Sequence, residues 1–511
     1  MLAADNPHGQ DVVTNIPRTT INVDVVVVGS GFAGMTAARN LARKGRKVAV
    51  IEAQNDLGGR TQRNFASTRD GKNITCTSTK QCPDGVWWYD RGGQWLGMTD
   101  SQDRLYAMAV EYGVKTYTAP QSAGQYRYNM GGGSFVDTGD YLDEEVPSGA
   151  KKARMAKAQL AGFAAYQKAS NALYDIVDEV KNYLKTPWTY PKVEQWDGMT
   201  FQAFIEKQID DQLGRQLMYW MYCEANGGYT PATISVFEMA RILANMLDGG
   251  SEEKLFFGGA GQFIGRMADE IKSKGGVILT ASPARHIAQD AQAVAVYTDK
   301  HAVLGKYAVV AMPPHLSGRI TYDPPLPARR AQLTQRFPMG TTVKCLGFFK
   351  TPFWREKNGG ALAGDNVVAL AIEPGKVVNE VFDISPPYPD APGALAGFLY
   401  NDVALTLAEQ GPEALERQVL KRWSEMMNDP RIATDSVGFH YVNWPEEQWV
   451  GGAYNGFTTP GTWKTWGKAM YKPFGRVYWA GTEYAFKWLG YIDGAIRTGE
   501  DAANTISGLL G

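Results

Sequence analysis

The chain has 511 residues, 44 % of them hydrophobic and 12 % aromatic, more than one compact core holds, so two or more domains are expected. Its 52 basic and 53 acidic residues nearly cancel, which leaves no whole-chain field to draw nucleic acid or an anionic membrane. No apolar run approaches the ~20 residues that span a bilayer, and the four cysteines and five histidines show no metal-ligand spacing, so neither a membrane anchor nor a metal is expected.

The opening residues, MLAADNPHGQDVV, carry no apolar signal core, and 1–21 read as an extended N-terminal segment. From Val23 to Val28 the chain is a continuous β-branched run, the pattern of a strand buried on both faces of a parallel sheet. Gly29-Ser30-Gly31-Phe32-Ala33-Gly34 follows at once, then a helical stretch ending at Gly45 and a second buried strand from Lys47 to Glu52. The glycines have a mechanical logic. Gly29 permits a tight turn, Gly31 lets backbone approach a pyrophosphate, and Gly34 allows close helix-on-strand packing. The helix N-terminus, with Phe32 and Ala33, offers N–H groups to phosphates. Glu52, followed by Ala53, stands ~20 residues on, where a carboxylate accepts hydrogen bonds from an adenosine ribose. The unit specifies a dinucleotide without separating NAD from FAD.

Cys76 and Cys82 share the polar loop TCTSTKQCPDG, either as a small disulfide ring or as two thiols, and Asn73-Ile74-Thr75 beside them is a glycosylation sequon. This loop slightly favours a periplasmic or secreted location over a cytoplasmic one. From Pro147 to Leu184 apolar residues recur at helical spacing (Leu160, Phe163, Tyr166, Leu173, Ile176, Val180), and helix-like sequence continues to about Leu247. Strand-like runs return at Lys306 to Met312, Thr341 to Phe349 and Ala394 to Leu399. One helix is expected over roughly Val403 to Met427, then a strand at Arg476 to Ala480 and a closing helix from about Tyr491.

Further motifs separate the dinucleotides: Gly58-Gly59-Arg60-Thr61 after the acidic strand, Arg91-Gly92-Gly93-Gln94-Trp95, and Trp479-Ala480-Gly481-Thr482-Glu483. With PWTYPKVEQWDGMTF from Pro187, FGGAGQ from Phe257, PMGTTVKC from Pro338, TPFWREK from Thr351, GGAYNGFTTPG from Gly451 and AGTEYAFKWLGYIDGA from Ala480, the sequence resembles the flavin-containing amine oxidases, in the pattern of the monoamine oxidases. The resemblance runs from about Asp24 to the end of the chain. It implies an α/β plus α+β architecture, a Rossmann-type FAD-binding domain (22–117, 252–333 and 447–511) interleaved with a substrate domain of mixed sheet and helices (118–251, largely helical, and 334–446).

The same resemblance implies FAD as cofactor. Gly59, Arg60 and Thr61 would contact its diphosphate and flavin, and the backbone of Ala284 its adenine. Thr482 and Ile492 would lie at the pyrimidine side, and Gly92, Gly93, Gln94, Trp95, Trp449, Gly481, Glu483 and Tyr491 complete the set. Tyr454 and Tyr491 match the paired aromatic residues that flank the flavin face and sandwich the amine, and Lys344 matches the lysine that holds a water beside the flavin. Tyr222 and Tyr229 are candidates for the entrance, and Phe382, Phe398 and Trp488 for the pocket, with ordinary core packing the alternative reading. Ala453 stands where the mitochondrial enzymes carry the cysteine that bonds to flavin, so the FAD is expected to be non-covalent.

The expected reaction is oxidation of an arylalkyl or alkyl primary amine to an imine, with hydrolysis to aldehyde and ammonia and release of hydrogen peroxide. Expected partners are therefore the amine and either O₂ or an electron-carrier protein, with a second copy of the chain as a candidate. Alternatives are an amine dehydrogenase, an enzyme for diamines or amino acids, and a protein that keeps the fold without redox chemistry. WLGMTDSQ lacks the arginine that grips a substrate carboxylate in related amino-acid oxidases, and no acidic cluster suited to a polyamine is visible in the sequence.

Overall fold

The computed structural model describes residues 19–76, 82, 84–119, 125–129, 136–137, 157–246, 250–356, 367–371, 380–388 and 391–511. Most of the expected N-terminal segment, the start of the expected helical insertion at 147–156, and Leu247 lie outside the described residues.

Five parallel strands form the first sheet, in the order Val277–Leu279, Val48–Ile51, Val25–Val28, Tyr307–Ala311, Val477–Ala480. Val25, Val26 and Val27 are wholly buried, as a run without polar alternation requires, and each such side chain contributes roughly 1.5–3 kcal/mol of burial. Helices Phe32–Arg43, Gln262–Ser273 and Ile492–Leu510 cover the sheet. Contact between the first and last of these is backbone-close at Gly499, where a Cβ would lie 2.3 Å from the Ala33 carbonyl oxygen. A second five-stranded sheet (Thr19–Asn22, His301–Gly305, Val294–Tyr297, His286–Gln289, Thr321–Asp323) was not anticipated; its short strands lack a clear periodic signal.

The largest sheet has seven strands, in the order Gly438–Asn443, Thr342–Phe349, Gly393–Tyr400, Glu380–Asp383, Val367–Ala371, Gln125–Asn129, Val136–Asp137. Because side chains alternate across a strand, Val343, Cys345, Val381, Leu395 and Leu399 pack with Leu415, Val419 and Trp423 in one apolar cluster. The other face carries Lys344, Glu380, Phe382, Phe398 and Tyr400. Lys344 lies directly opposite Phe398, Thr342 opposite Tyr400, and Phe382 opposite Ala396.

The helix expected over 403–427 is two helices, Asn401–Glu409 and Pro412–Met427. Gly411 takes a left-handed φ of 89° and Pro412 occupies the first turn, so the chain stops and restarts there. Among the described residues the helical block runs from Lys157–Val180 to Val236–Ala244, and contains a π-helical turn at Tyr219–Glu224. Cys76 and Cys82 are paired as a disulfide.

Candidate active site

Each glycine of the first turn has a distinct steric reason. A Cβ on Gly34 would lie 2.0 Å from the Gly29 carbonyl oxygen, and one on Gly29, whose φ is 102°, would lie 2.5 Å from that of Ala311. By contrast a Cβ on Gly31 would meet only the Gly58 oxygen at 3.9 Å, and one on Gly59 only the Gly31 Cα at 3.8 Å. Two glycine backbones thus face open space above the N-terminus of Phe32–Arg43, which no side chain caps. Glu52 closes the turn from below. Its Oε2 accepts from the Ser30 N–H (2.8 Å) and hydroxyl (2.6 Å), and its Oε1 from the Gln54 N–H (2.8 Å). Ala53 follows it at the strand end. The neighbouring strand's loop approaches here: Ser282 N–H donates to the Glu52 carbonyl at 2.8 Å, and Arg285, next to Ala284, lies 5.5 Å from the Trp449 ring.

Arg60 joins the N-terminal and C-terminal motifs. Its Nη1 and Nη2 donate to Glu483 Oε1 (2.6 Å) and Oε2 (3.1 Å), and Nη1 also donates to the Tyr454 carbonyl (2.9 Å). Burial pushes the Glu483 carboxyl up, but Arg60 and the Gly456 N–H outweigh it and hold it below the usual range. Thr61 and Ile492 converge on Gly93, where a Cβ would meet a methyl of each at 3.5 Å. Thr482 Oγ1 donates to the Tyr491 carbonyl at 3.0 Å, and Gly481 N–H donates to Thr498 Oγ1 at 3.0 Å.

Lys344 is wholly buried, and its Nζ donates to the carbonyls of Asp90 (2.8 Å) and Gly92 (2.9 Å) and to Gln94 Oε1 (2.6 Å). Burial pushes the ammonium down to about 7, opposed in part by the Asp90 carboxylate. The Trp95 and Phe398 rings lie 5.7 and 5.9 Å from it, within cation–π range.

An aromatic wall extends from this lysine. Trp95 is 6.2 Å from both Phe382 and Phe398, and Phe398 meets Tyr454 edge to face at 5.4 Å. The two tyrosines matched to the cage, far apart in sequence, are brought close by their neighbours: a Cβ on Gly490, just before Tyr491, would lie 3.0 Å from Oδ1 of Asn455, just after Tyr454. Tyr229 donates its hydroxyl to that same Oδ1 at 2.7 Å. Trp95, Phe382, Tyr454 and Tyr491 all keep part of their surface open. The peptide bond between Ala453 and Tyr454 is cis.

Three residues expected at the pocket or its entrance are buried among other side chains. Trp488 is wholly buried, donates its indole N–H to the Ser101 carbonyl (2.8 Å) and backs the Tyr491 ring at 5.2 Å. Tyr229 is wholly buried against Phe457, beneath the Tyr454 segment. Tyr222 lies in the helical core among Tyr166, Tyr174 and Phe201, its hydroxyl bonded to Ser170. In each case the surrounding helices and loops already use the ring as core. Sequence reading missed Tyr400 and Glu380, although in FLY and EVFD the two-residue alternation places them on the face of Phe398 and Phe382. The Tyr400 hydroxyl donates to Glu380 Oε1 at 2.5 Å and lies 2.9 Å from the Tyr454 hydroxyl.

The arrangement suits FAD. The open glycine cradle, the uncapped helix N-terminus and Glu52 match a dinucleotide, and two buried donors, Gln94 Nε2 and Trp95 Nε1, have no partner among the described residues. Fold and site together define a flavin-dependent oxidoreductase. Residues 32–507 match the family model of flavin-containing amine oxidoreductases. An L-amino acid dehydrogenase of Synechocystis is 36 % identical, over 95 % of both chains. A probable flavin-containing monoamine oxidase A of Dictyostelium discoideum is 30 % identical, over 93 % of this chain and 95 % of that one. Cyclohexylamine oxidase of Brevibacterium oxydans superposes with a TM-score of 0.79 at 26 % identity, covering 96 % of this chain and 99 % of that one. The chain belongs to the flavin-containing amine oxidoreductase family, and is an FAD enzyme that oxidises amines.

Proposed function

We propose that this enzyme deaminates a primary amine at the surface framed by Lys344, Trp95, Phe398, Tyr454 and Tyr491, with its FAD bound non-covalently. FAD supplies the hydride acceptor when bound. Residues of 22–117, 252–333 and 447–511 would hold it: Gly29, Gly31, Phe32, Ala33, Gly34, Glu52, Ala53, Gly59, Arg60 and Thr61 on the dinucleotide, Ala284 and Trp449 toward the adenine, and Gly92 to Trp95, Gly481 to Glu483, Tyr491 and Ile492 toward the ring system. Segments 118–251 and 334–446 would form the substrate side.

The observation that carries this reading is the contact chain from Lys344 through Phe398 to Tyr454, which sets a buried cation and an open tyrosine face on one aromatic wall. Tyr454 and Tyr491 present π faces that attract an incoming cationic amine, while the apolar wall disfavours its charged form and releases the neutral nucleophile. Lys344 places positive charge where negative charge develops on the acceptor side. Trp488 and Tyr229 hold the two tyrosines in place.

The electron acceptor is O₂ or a carrier protein. The second is favoured by the relative named as a dehydrogenase, which also keeps amino acids among the candidate substrates. An anaerobic amine panel followed by loss of flavin absorbance tests the reading. Bleaching by amines in the native enzyme, weakened on the order of 10- to 100-fold in Tyr454→Ala with Tyr491→Ala at unchanged FAD content, is expected; normal turnover by that double variant would sink it.

A further inference from the structure

We infer that His315 is a further cofactor-binding residue, whose imidazole hydrogen-bonds an oxygen of the sugar-phosphate chain that joins the two ring systems of FAD. This rests on the cofactor placement proposed above.

His315 follows the strand Tyr307–Ala311, which runs between Val25–Val28 and Val477–Ala480 and parallel to both, so all three strands end on one side of the sheet. Cofactors of open α/β sheets bind beyond the carboxyl ends of the strands. Here one flanking strand leads into the Gly29 turn and the other into Gly481-Thr482-Glu483. The strand ends are close, since a Cβ on Gly29 would lie 2.5 Å from the Ala311 carbonyl oxygen. From the other direction Gly451, with a left-handed φ of 75°, leaves room for the ring: a Cβ there would lie 2.9 Å from His315 Nε2. Glu483 and Arg60 both act electrostatically on the imidazole. His315 therefore stands among the dinucleotide turn, Arg60 and the two C-terminal motifs.

Nδ1 and Nε2 are both buried without a hydrogen-bond partner among the described residues, and no other described histidine has both ring nitrogens in that state. The Val450 backbone favours the protonated ring but bonds neither nitrogen. Burial, and after it Arg319, push the imidazolium down to about 4, so near neutral pH the ring keeps one N–H donor and one lone pair. A buried donor left unmet costs free energy, and native proteins supply a partner from the chain, a ligand or water. Arg60 and Glu483, the nearest charged pair, are engaged with each other. Hydroxyl and phosphate oxygens accept from an imidazole N–H, and the middle of FAD carries both kinds.

The test is equilibrium dialysis of the full-length chain against FAD, alone and in competition with ADP or with riboflavin, which between them carry every oxygen of the linking chain. His315→Ala should raise the Kd for FAD by about tenfold. Affinity for one competitor should fall by a like factor while the other holds: ADP if the bond goes to the ribose or a phosphate, riboflavin if it goes to the ribityl hydroxyls. Unchanged FAD affinity, the result for a ring that only meets water, overturns the inference. Equal weakening of both competitors also overturns it, because a substitution acting through the fold has that signature. A second measurement needs no stable alanine variant. In the native chain labelled with ¹⁵N-histidine, the ring signals that vanish in His315→Gln should move when FAD binds, and unmoved signals would refute the contact. Failure of the native chain to take up FAD at all would instead remove the cofactor placement beneath it.

Discussion

Arg60 and Glu483 form a two-point ion pair in which the carboxylate is wholly buried and the arginine also holds the carbonyl of Tyr454. One guanidinium thus ties the segment after the dinucleotide turn to the C-terminal motif and to a cage residue. Removing one partner of a buried pair strands the other charge, so Arg60→Met should destabilise the protein by about 3–5 kcal/mol. Urea denaturation at saturating FAD measures it. The double variant Arg60→Met with Glu483→Leu should regain most of the loss, and a double variant no better than the single one would show that the pair is not the unit that matters.

Two glycines three residues apart should respond in opposite ways. Gly34→Ala drives a methyl to 2.0 Å from the Gly29 oxygen and should abolish stable folding. Gly31→Ala meets nothing closer than 3.9 Å, so circular dichroism should stay native while FAD affinity falls. Equal FAD affinity in Gly31→Ala would argue against cofactor phosphate at that backbone.

Lys344→Met removes a donor shared by Gln94 Oε1 and two carbonyls. If the lysine stabilises charge during reoxidation, stopped-flow mixing of the reduced variant with O₂ should show a loss on the order of 100-fold, with FAD still bound. Unchanged reoxidation would assign it a structural role.

Ala453 offers no thiol to the cofactor. Acid precipitation should therefore leave the flavin in the supernatant, and absorbance retained in the washed pellet would contradict non-covalent binding.

Burial pushes the Glu380 carboxyl from the ordinary 4.5 up to about 8. Between those values the folded chain keeps a proton that the unfolded chain has released, so stability attributable to this group is full below about pH 4.5 and is lost as pH rises through 8. Glu380→Gln cannot lose that proton. Its melting temperature relative to native protein should be higher at pH 8.5 than at pH 5, and a pH-independent difference would mean that Glu380 does not titrate there.

Sequence alone determined the dinucleotide turn, because its glycine spacing between an apolar strand and a helix is a local signature, with Gly34 answering to the Gly29 carbonyl five residues back. It also marked Lys344 as anomalous, since a charged residue in VKCLGFF breaks an otherwise apolar strand, and the family motifs then named FAD and amine. Tertiary structure decided the rest. Trp488, Tyr229 and Tyr222 look like pocket aromatics in a one-dimensional pattern, yet an aromatic ring reads the same whether it lines a cavity or fills a core. Glu380 and Tyr400 became visible only through strand register, and the upward shift of the Glu380 carboxyl is a property of what surrounds it in space. Local conformational need is written in neighbouring residues, whereas electrostatic compensation depends on groups that meet only after folding.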